Sequence, residues 1–231
     1  MPSVPFETFP ALDLPGFAHA FIQRIPGVDV QVDRQAALER LEGFHSQLRV
    51  QLGFDEYAIG EQVHACRIAV IDENGALAGE TGETSGVINA GPVRGVDGLV
   101  TNRPGLCLGV LVADCCPVYL VDPVRHCIGL VHSGRKGTEL GIAPQAIRKM
   151  QEHFASDPAD LIVQLGPCIR PPLYEVDIAG EILRQCRVAG VGKVNDCGAN
   201  TGEDLLRYYS YRVEKGKTGR MLALLGMKPR G

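Results

Sequence analysis

At 231 residues, 45% hydrophobic and 22% charged, the chain can bury a sizeable core beneath an ordinary soluble surface. A formal charge of −4 excludes a broad basic field for nucleic acid. No apolar run reaches the roughly 18–20 residues of a membrane span, and no basic segment leads an apolar core at the start, so a cytoplasmic protein with its eight cysteines reduced is expected.

In chain order, residues 1–20 are rich in proline and aromatics and read as irregular. Residues 19–22 form a short apolar piece, and Ile25-Pro26-Gly27 signals a turn. Residues 33–51 read as a helix: Ala36, Ala37, Leu41, Phe44 and Leu48 fall at helical spacing, Asp33 can cap the start and Gly53 can end it. A strand is expected over 66–71. Residues 73–95 are Gly-rich and aperiodic, which predicts a long loop or a pair of short hairpins. Two short apolar runs follow, 106–112 and 127–131, bounded by turn signals as buried strands are. The first ends in Ala113-Asp114-Cys115-Cys116-Pro117 and the second in His132-Ser133-Gly134-Arg135-Lys136-Gly137. Helices are expected over 138–154, 176–188 and 202–212, with strands over 161–165 and 220–225. Strands and helices mix without strict alternation, which favours an α+β fold with mixed sheets over a doubly wound parallel sheet.

Three residues stand out chemically. His64, Cys115 and His132 each lie at the edge of an expected strand, beside small or turn-forming residues. Imidazole and thiolate suit a borderline-soft divalent ion, and three protein ligands with one open position is the catalytic pattern for zinc. The same residues allow nucleophilic catalysis instead, with a Cys115 thiolate, His132 as base and Asp114 to orient it; the plainer role of Asp114 is a turn cap. Taken singly, each of the three is more often a satisfied core residue than a ligand. The run from His132 into the next helix combines glycines with Arg135 and Lys136, which suits phosphate or carboxylate, although the order of glycines and lysine is not that of a Walker A loop. Arg170, after Gly166-Pro167, could enter the same rim, and Tyr211, Arg212 and Arg220 could add polar groups.

Several segments in the right order resemble the laccase-domain, or multi-copper polyphenol oxidoreductase, family, whose members are also described as purine nucleoside phosphorylases and peptidoglycan editing factors. Gln62-Val63-His64 resembles its Q-V-H, and Asp97-Gly98-Leu99-Val100-Thr101-Asn102-Arg103-Pro104-Gly105 resembles D-A-L-I-T-N-x-P-G. Ala113-Asp114-Cys115-Cys116-Pro117-Val118 is similar to A-D-C-x-P-V, and the stretch from His132 to Gly137 to H-A-G-W-R-G. Gly166-Pro167-Cys168-Ile169, Tyr174-Glu175-Val176, Ser210-Tyr211-Arg212 and Thr218-Gly219-Arg220-Met221 continue the likeness.

The resemblance implies one laccase-like domain over 1–231, with two packed mixed sheets flanked by helices, as in the cytotoxic necrotizing factor toxins and their cysteine-hydrolase fold. It places the metal ligands on His64, Cys115 and His132, and selects Cys115 over Cys116 because Cys115 directly follows the aspartate. It implies zinc, with copper as the alternative, and purine nucleoside and phosphate as substrates. Expected activities are phosphorolysis and adenosine deamination, with Asp114, Lys136 and Arg135 catalytic and Arg24, Gln62, Arg170 and Arg212 binding substrate. A copper-dependent polyphenol oxidoreductase, a cysteine-type hydrolase or peptidoglycan-editing enzyme, and a non-catalytic metal-binding module are the alternatives. The departures fall on substrate segments: Trp-Arg becomes Arg135-Lys136, a glycine becomes Ala65, another becomes Arg170, and R-x-G-G-V-S is reduced to Arg24-Ile25-Pro26-Gly27-Val28-Asp29. Lysine keeps the charge but loses the bidentate fork for phosphate.

Overall fold

The computed structural model describes residues 3–78, 88–89 and 91–229. In chain order its elements are β1 (Phe6–Glu7), β2 (Phe17–Ile22), α1 (Arg34–Gln51), β3 (Glu56–Ile59), β4 (Ile68–Ile71), β5 (Leu77–Ala78), β6 (Gly98–Thr101), β7 (Leu106–Val112), β8 (Cys116–Asp122) and β9 (Cys127–Ser133). Then come α2 (Arg135–Glu139), α3 (Ile142–Phe154), β10 (Ile162–Leu165), α4 (Ile178–Val188), β11 (Lys193–Asp196) and β12 (Met221–Met227). Among the described residues the strands form two mixed sheets, ordered β1-β2-β12-β7-β3 and β11-β10-β8-β9-β6-β4-β5. The expected α+β architecture of two packed mixed sheets with helices is thus present.

Alternation along the strands explains the layering. In β8, Tyr119 and Val121 turn toward the five-stranded sheet, while Val118 and Leu120 turn toward α3 and α4. In β9, Ile128 and Leu130 take the first side and Cys127 and Val131 the second. Each fully buried aliphatic side chain contributes about 1.5–3 kcal/mol. At Gly109 of β7 a Cβ would run into the Tyr57 ring, so this strand passes β3 only as glycine.

Helix α1 follows the expected bounds, and the Asp33 carboxylate accepts from the Ala36 amide at its start. The single helix expected over 138–154 is two. Gly141, at φ +71°, stops α2 after five residues and starts α3 in a new direction. No helix forms over 202–212: the Asp204 side chain takes the amides of Leu206 and Arg207, a local bond that competes with helical pairing, and Leu206 is 90% exposed. The N-terminal stretch is not irregular throughout, since β2 pairs with β12 inside the five-stranded sheet. Of the loop expected over 73–95, residues 79–87 and 90 lie outside the described residues, and β5 pairs antiparallel with β4.

His45, on the inward face of α1, is buried, and its Nε2 has no partner among the described residues. Burial drives its pKa down to about 4, against a weaker opposing hydrogen bond to the Arg220 backbone. Between pH ~6.5 and ~4 the unfolded chain therefore takes up a proton that the folded chain refuses, and stability falls as pH drops through that window, by about 3 kcal/mol in total. Tm should decline less steeply from pH 7 to 4.5 in His45→Gln than in the parent chain. Parallel declines would remove His45 as the cause.

Candidate metal centre

The strand register brings distant segments to one end of the seven-stranded sheet. Antiparallel β8 and β9 set Pro117 opposite His132, so the turn that carries Cys115 ends beside the imidazole. Strand β6 runs between β9 and β4, and Asp97, directly before β6, lies between His132 and the segment that leads to β4. The Nδ1, Nε2 and Sγ atoms that His64, Cys115 and His132 offer as ligands all lie within 4.8 Å of one another. The two imidazole rings meet edge to face at 4.8 Å between centroids.

Asp97 holds this arrangement. Its Oδ1 lies 3.0 Å from His132 Nδ1 and accepts the His64 amide at 2.8 Å, while Oδ2 accepts the Ala65 amide at 2.8 Å. With Nδ1 engaged by the carboxylate, Nε2 is the nitrogen left for a ligand. His64 itself sits at φ 58° and Asp114 at φ 91°, both in the left-handed region that non-glycine residues rarely adopt. Gly134 keeps the floor open, because a Cβ there would come within 2.8 Å of Cys115 Sγ.

Charge in the cluster is mutually sustained. Burial pushes the Cys115 thiol up, but His132 and His64 beside it bring it down to about 6. Burial likewise pushes His132 down, while Asp97 and Cys115 hold it up at about 9. Burial raises Asp97, yet its bonds to His132, Ala65 and His64 keep it below the usual carboxylate range. The neighbouring Cys116 points the other way, into the layer of α3 and α4, and burial lifts its thiol well above the ordinary value. Cys115 and not Cys116 is therefore the thiol of the cluster.

The cluster opens on a cavity of about 990 Å3. Lys136, Arg135, Arg212, Asp114 and Gln62 of the expected site residues line it. Lys136 has no carboxylate partner among the described residues, whereas Arg135 pairs with Glu139 at 3.0 Å and Arg212 with Glu175 at 2.6 Å. Because α2 is a single short turn, the loop amides gain little from a helix dipole, and side-chain charge must do most of the anion binding. Gln62 faces the cavity but spends its amide on the backbone of Leu111, donating at 2.6 Å and accepting at 2.8 Å.

Three expected roles meet a different geometry. Asp114 has both oxygens occupied, by the Thr201 hydroxyl at 2.8 Å and the Arg212 amide at 2.7 Å, which makes it a staple between loops more than a free proton carrier. Arg24 lies outside the cavity lining, paired with Glu214 at 2.7 Å and stacked on Tyr209. Arg170 also turns away, its guanidinium gripping both Asp196 oxygens. The carboxylate that orients His132 is Asp97, not Asp114. Sequence reasoning gave Asp97 no role, although it opens one of the quoted motifs. Arg34, at the start of α1, was missed altogether and lines the cavity with Tyr174 and Arg220.

A family model described as multi-copper polyphenol oxidoreductase laccase matches residues 26–181 and 176–228. Purine nucleoside phosphorylase SSP1584 of Staphylococcus saprophyticus is 31% identical over 212 residues, covering 78% of this chain and 77% of its own. Purine nucleoside phosphorylase YlmD of Bacillus subtilis is 27% identical over 169 residues, and that match covers 59% of this chain and 60% of the relative. The crystal structure of YlmD from Geobacillus stearothermophilus superimposes with a TM-score of 0.77 at 25% identity, covering 96% of this chain and 94% of that one. No helix among the described residues is long and apolar enough to cross a membrane.

Proposed function

The chain belongs to the multi-copper polyphenol oxidoreductase laccase family, and from that membership we propose that it is a metal-dependent purine nucleoside phosphorylase. The observation that carries this reading is the meeting of His64, Cys115 and His132 at a cavity that Lys136 also lines. Two imidazoles and a thiolate favoured as the anion form a donor set suited to a borderline-soft divalent ion, which favours zinc. Copper shares that preference, but of the six histidines only His64 and His132 line the cavity, too few for a mononuclear and a trinuclear copper site together. A zinc ion held there supplies Lewis acidity.

The chain's own residues do the remaining work. Lys136 holds the phosphate, with Arg135 at the rim, and fixes it against the sugar. A phosphate oxygen bonds to C1′ of the ribose as the bond from C1′ to the purine breaks. The base leaves with the electron pair and accepts the proton that the phosphate carried. Tyr174 and Tyr211 offer flat faces for the purine. Adenosine, inosine or guanosine incubated with phosphate should yield free base and ribose 1-phosphate, resolved by chromatography, with inosine from adenosine as the sign of deamination. No product from any purine nucleoside would refute the phosphorylase.

One observation favours a second reading. Cys115, His132 and Asp97 also form the nucleophile, base and orienting carboxylate of a cysteine hydrolase. Alkylation separates the two. If zinc protects Cys115 from alkylation and raises activity, the thiolate is a ligand and the hydrolase reading loses.

A further inference from the structure

We propose that the substrate of this cavity is a nucleoside carrying its own 5′-phosphate, held by Arg34, Lys215 and Arg220, an inference that rests on the phosphorolysis reading above. The three cations come from separate places in the chain: the first residue of α1, a tight turn at Lys215 (φ 54°) and the residue before β12. All line the same cavity as the metal cluster. None of them has a carboxylate partner among the described residues. The rim cations Arg135 and Arg212 contrast with them, since Glu139 and Glu175 already compensate both.

Arg220 is the most enclosed of the three. Its Nη1 donates to the carbonyls of Thr218 and Gly219, and its guanidinium lies 5.7 Å from the centre of the Tyr211 ring, leaving Nε and Nη2 without partners among the described residues. Burial lowers its pKa and the positive charge of Arg34 adds to that effect, against weaker opposing pulls from Cys115, Tyr211 and Asp114, none of which forms a hydrogen bond or ion pair with it among the described residues. Such a concentration of charge is unfavourable in the empty cavity and is relieved by an anion. One inorganic phosphate at Lys136 carries at most two negative charges. It leaves Arg34, Lys215 and Arg220 without an ion-pair partner among the described residues, and a neutral nucleoside brings none to them. A 5′-phosphate ester supplies a second dianion while the purine and C1′ stay where phosphorolysis needs them.

The reaction balances in the same way as before. A phosphate oxygen bonds to C1′, the bond from C1′ to the purine nitrogen breaks, and its electron pair leaves with the base. The base takes the proton of the attacking phosphate, and the second product is ribose 1,5-bisphosphate.

The test measures adenine release by the metal-loaded protein, with inorganic phosphate fixed, from adenosine 5′-monophosphate and from adenosine. kcat/KM for the monophosphate should exceed that for adenosine by about tenfold or more. Arg34→Gln and, separately, Lys215→Gln should bring the ratio toward one, chiefly through KM for the monophosphate. Both side chains are exposed to the cavity and carry no internal bonds, so neither change threatens the fold. Adenine released equally well from adenosine, or a ratio indifferent to both substitutions, overturns this inference and leaves the phosphorylase reading standing. Adenine from neither substrate overturns both.

Discussion

Cys115→Ser should strip the protein of its metal and of its activity together. Serine nearly preserves the shape of the side chain but not its chemistry: a hydroxyl does not ionise where the Cys115 thiol, held at about 6, does, and it is a poor partner for a borderline-soft ion. Removing an outer-shell partner of a metal ligand costs roughly 10–100-fold in affinity, and loss of a direct ligand should cost more. The expected result by elemental analysis is about one equivalent of metal in the parent protein and less than about a tenth in the variant, with product formation reduced in proportion. Cys116→Ser is the internal control. That thiol is buried among α3, α4 and β10, away from the cluster, so the substitution should lower stability and leave metal content intact. Full metal occupancy in Cys115→Ser would end the proposal that this residue is a ligand.

What the sequence made legible follows from how local each signal was. Helix α1 was readable because its apolar stripe, its Asp33 cap and Gly53 agree with one another. Strands β7 and β9 were readable as apolar runs closed by polar turns. Strand β8 was not, because Pro117 at its second position reads as a breaker, yet it pairs with His132 within the ladder. Strand β6 was hidden for a different reason: its four buried residues are short and begin with a glycine packed tightly against Ile68 and Val131. In the site, His64, Cys115 and His132 could be picked out by chemical type. Asp97 could not, since its role exists only once β4, β6 and β9 lie side by side. Arg24 and Arg170 show the opposite failure: an arginine near a motif looks available for substrate until Glu214 and Asp196 are found closing on it.

Asp97→Asn distinguishes the two readings of the cluster most sharply. The native carboxylate receives three donors with its two oxygens, and an asparagine can offer only one acceptor oxygen. Its amide nitrogen would face either the Ala65 amide or the pair formed by the His64 amide and His132, placing donor against donor. The loss should destabilise the fold by about 1–3 kcal/mol and loosen the His64 backbone as well as the His132 ring. If the cluster is a metal site, affinity should fall by roughly 10–100-fold, and activity should return when excess zinc is added, because the ligands themselves remain. If Cys115 is instead a nucleophile with His132 as its base, the orienting charge is lost, kcat should fall by about 10^4-fold, and added zinc should not restore it. The decisive measurement is therefore a zinc titration of the folded variant, with chemical denaturation run alongside to establish the folded fraction. Rescue supports a metal-dependent enzyme in which Asp97 sets the aim of His132. Failure of rescue, with the variant folded, moves the catalytic role from a metal to the sulfur.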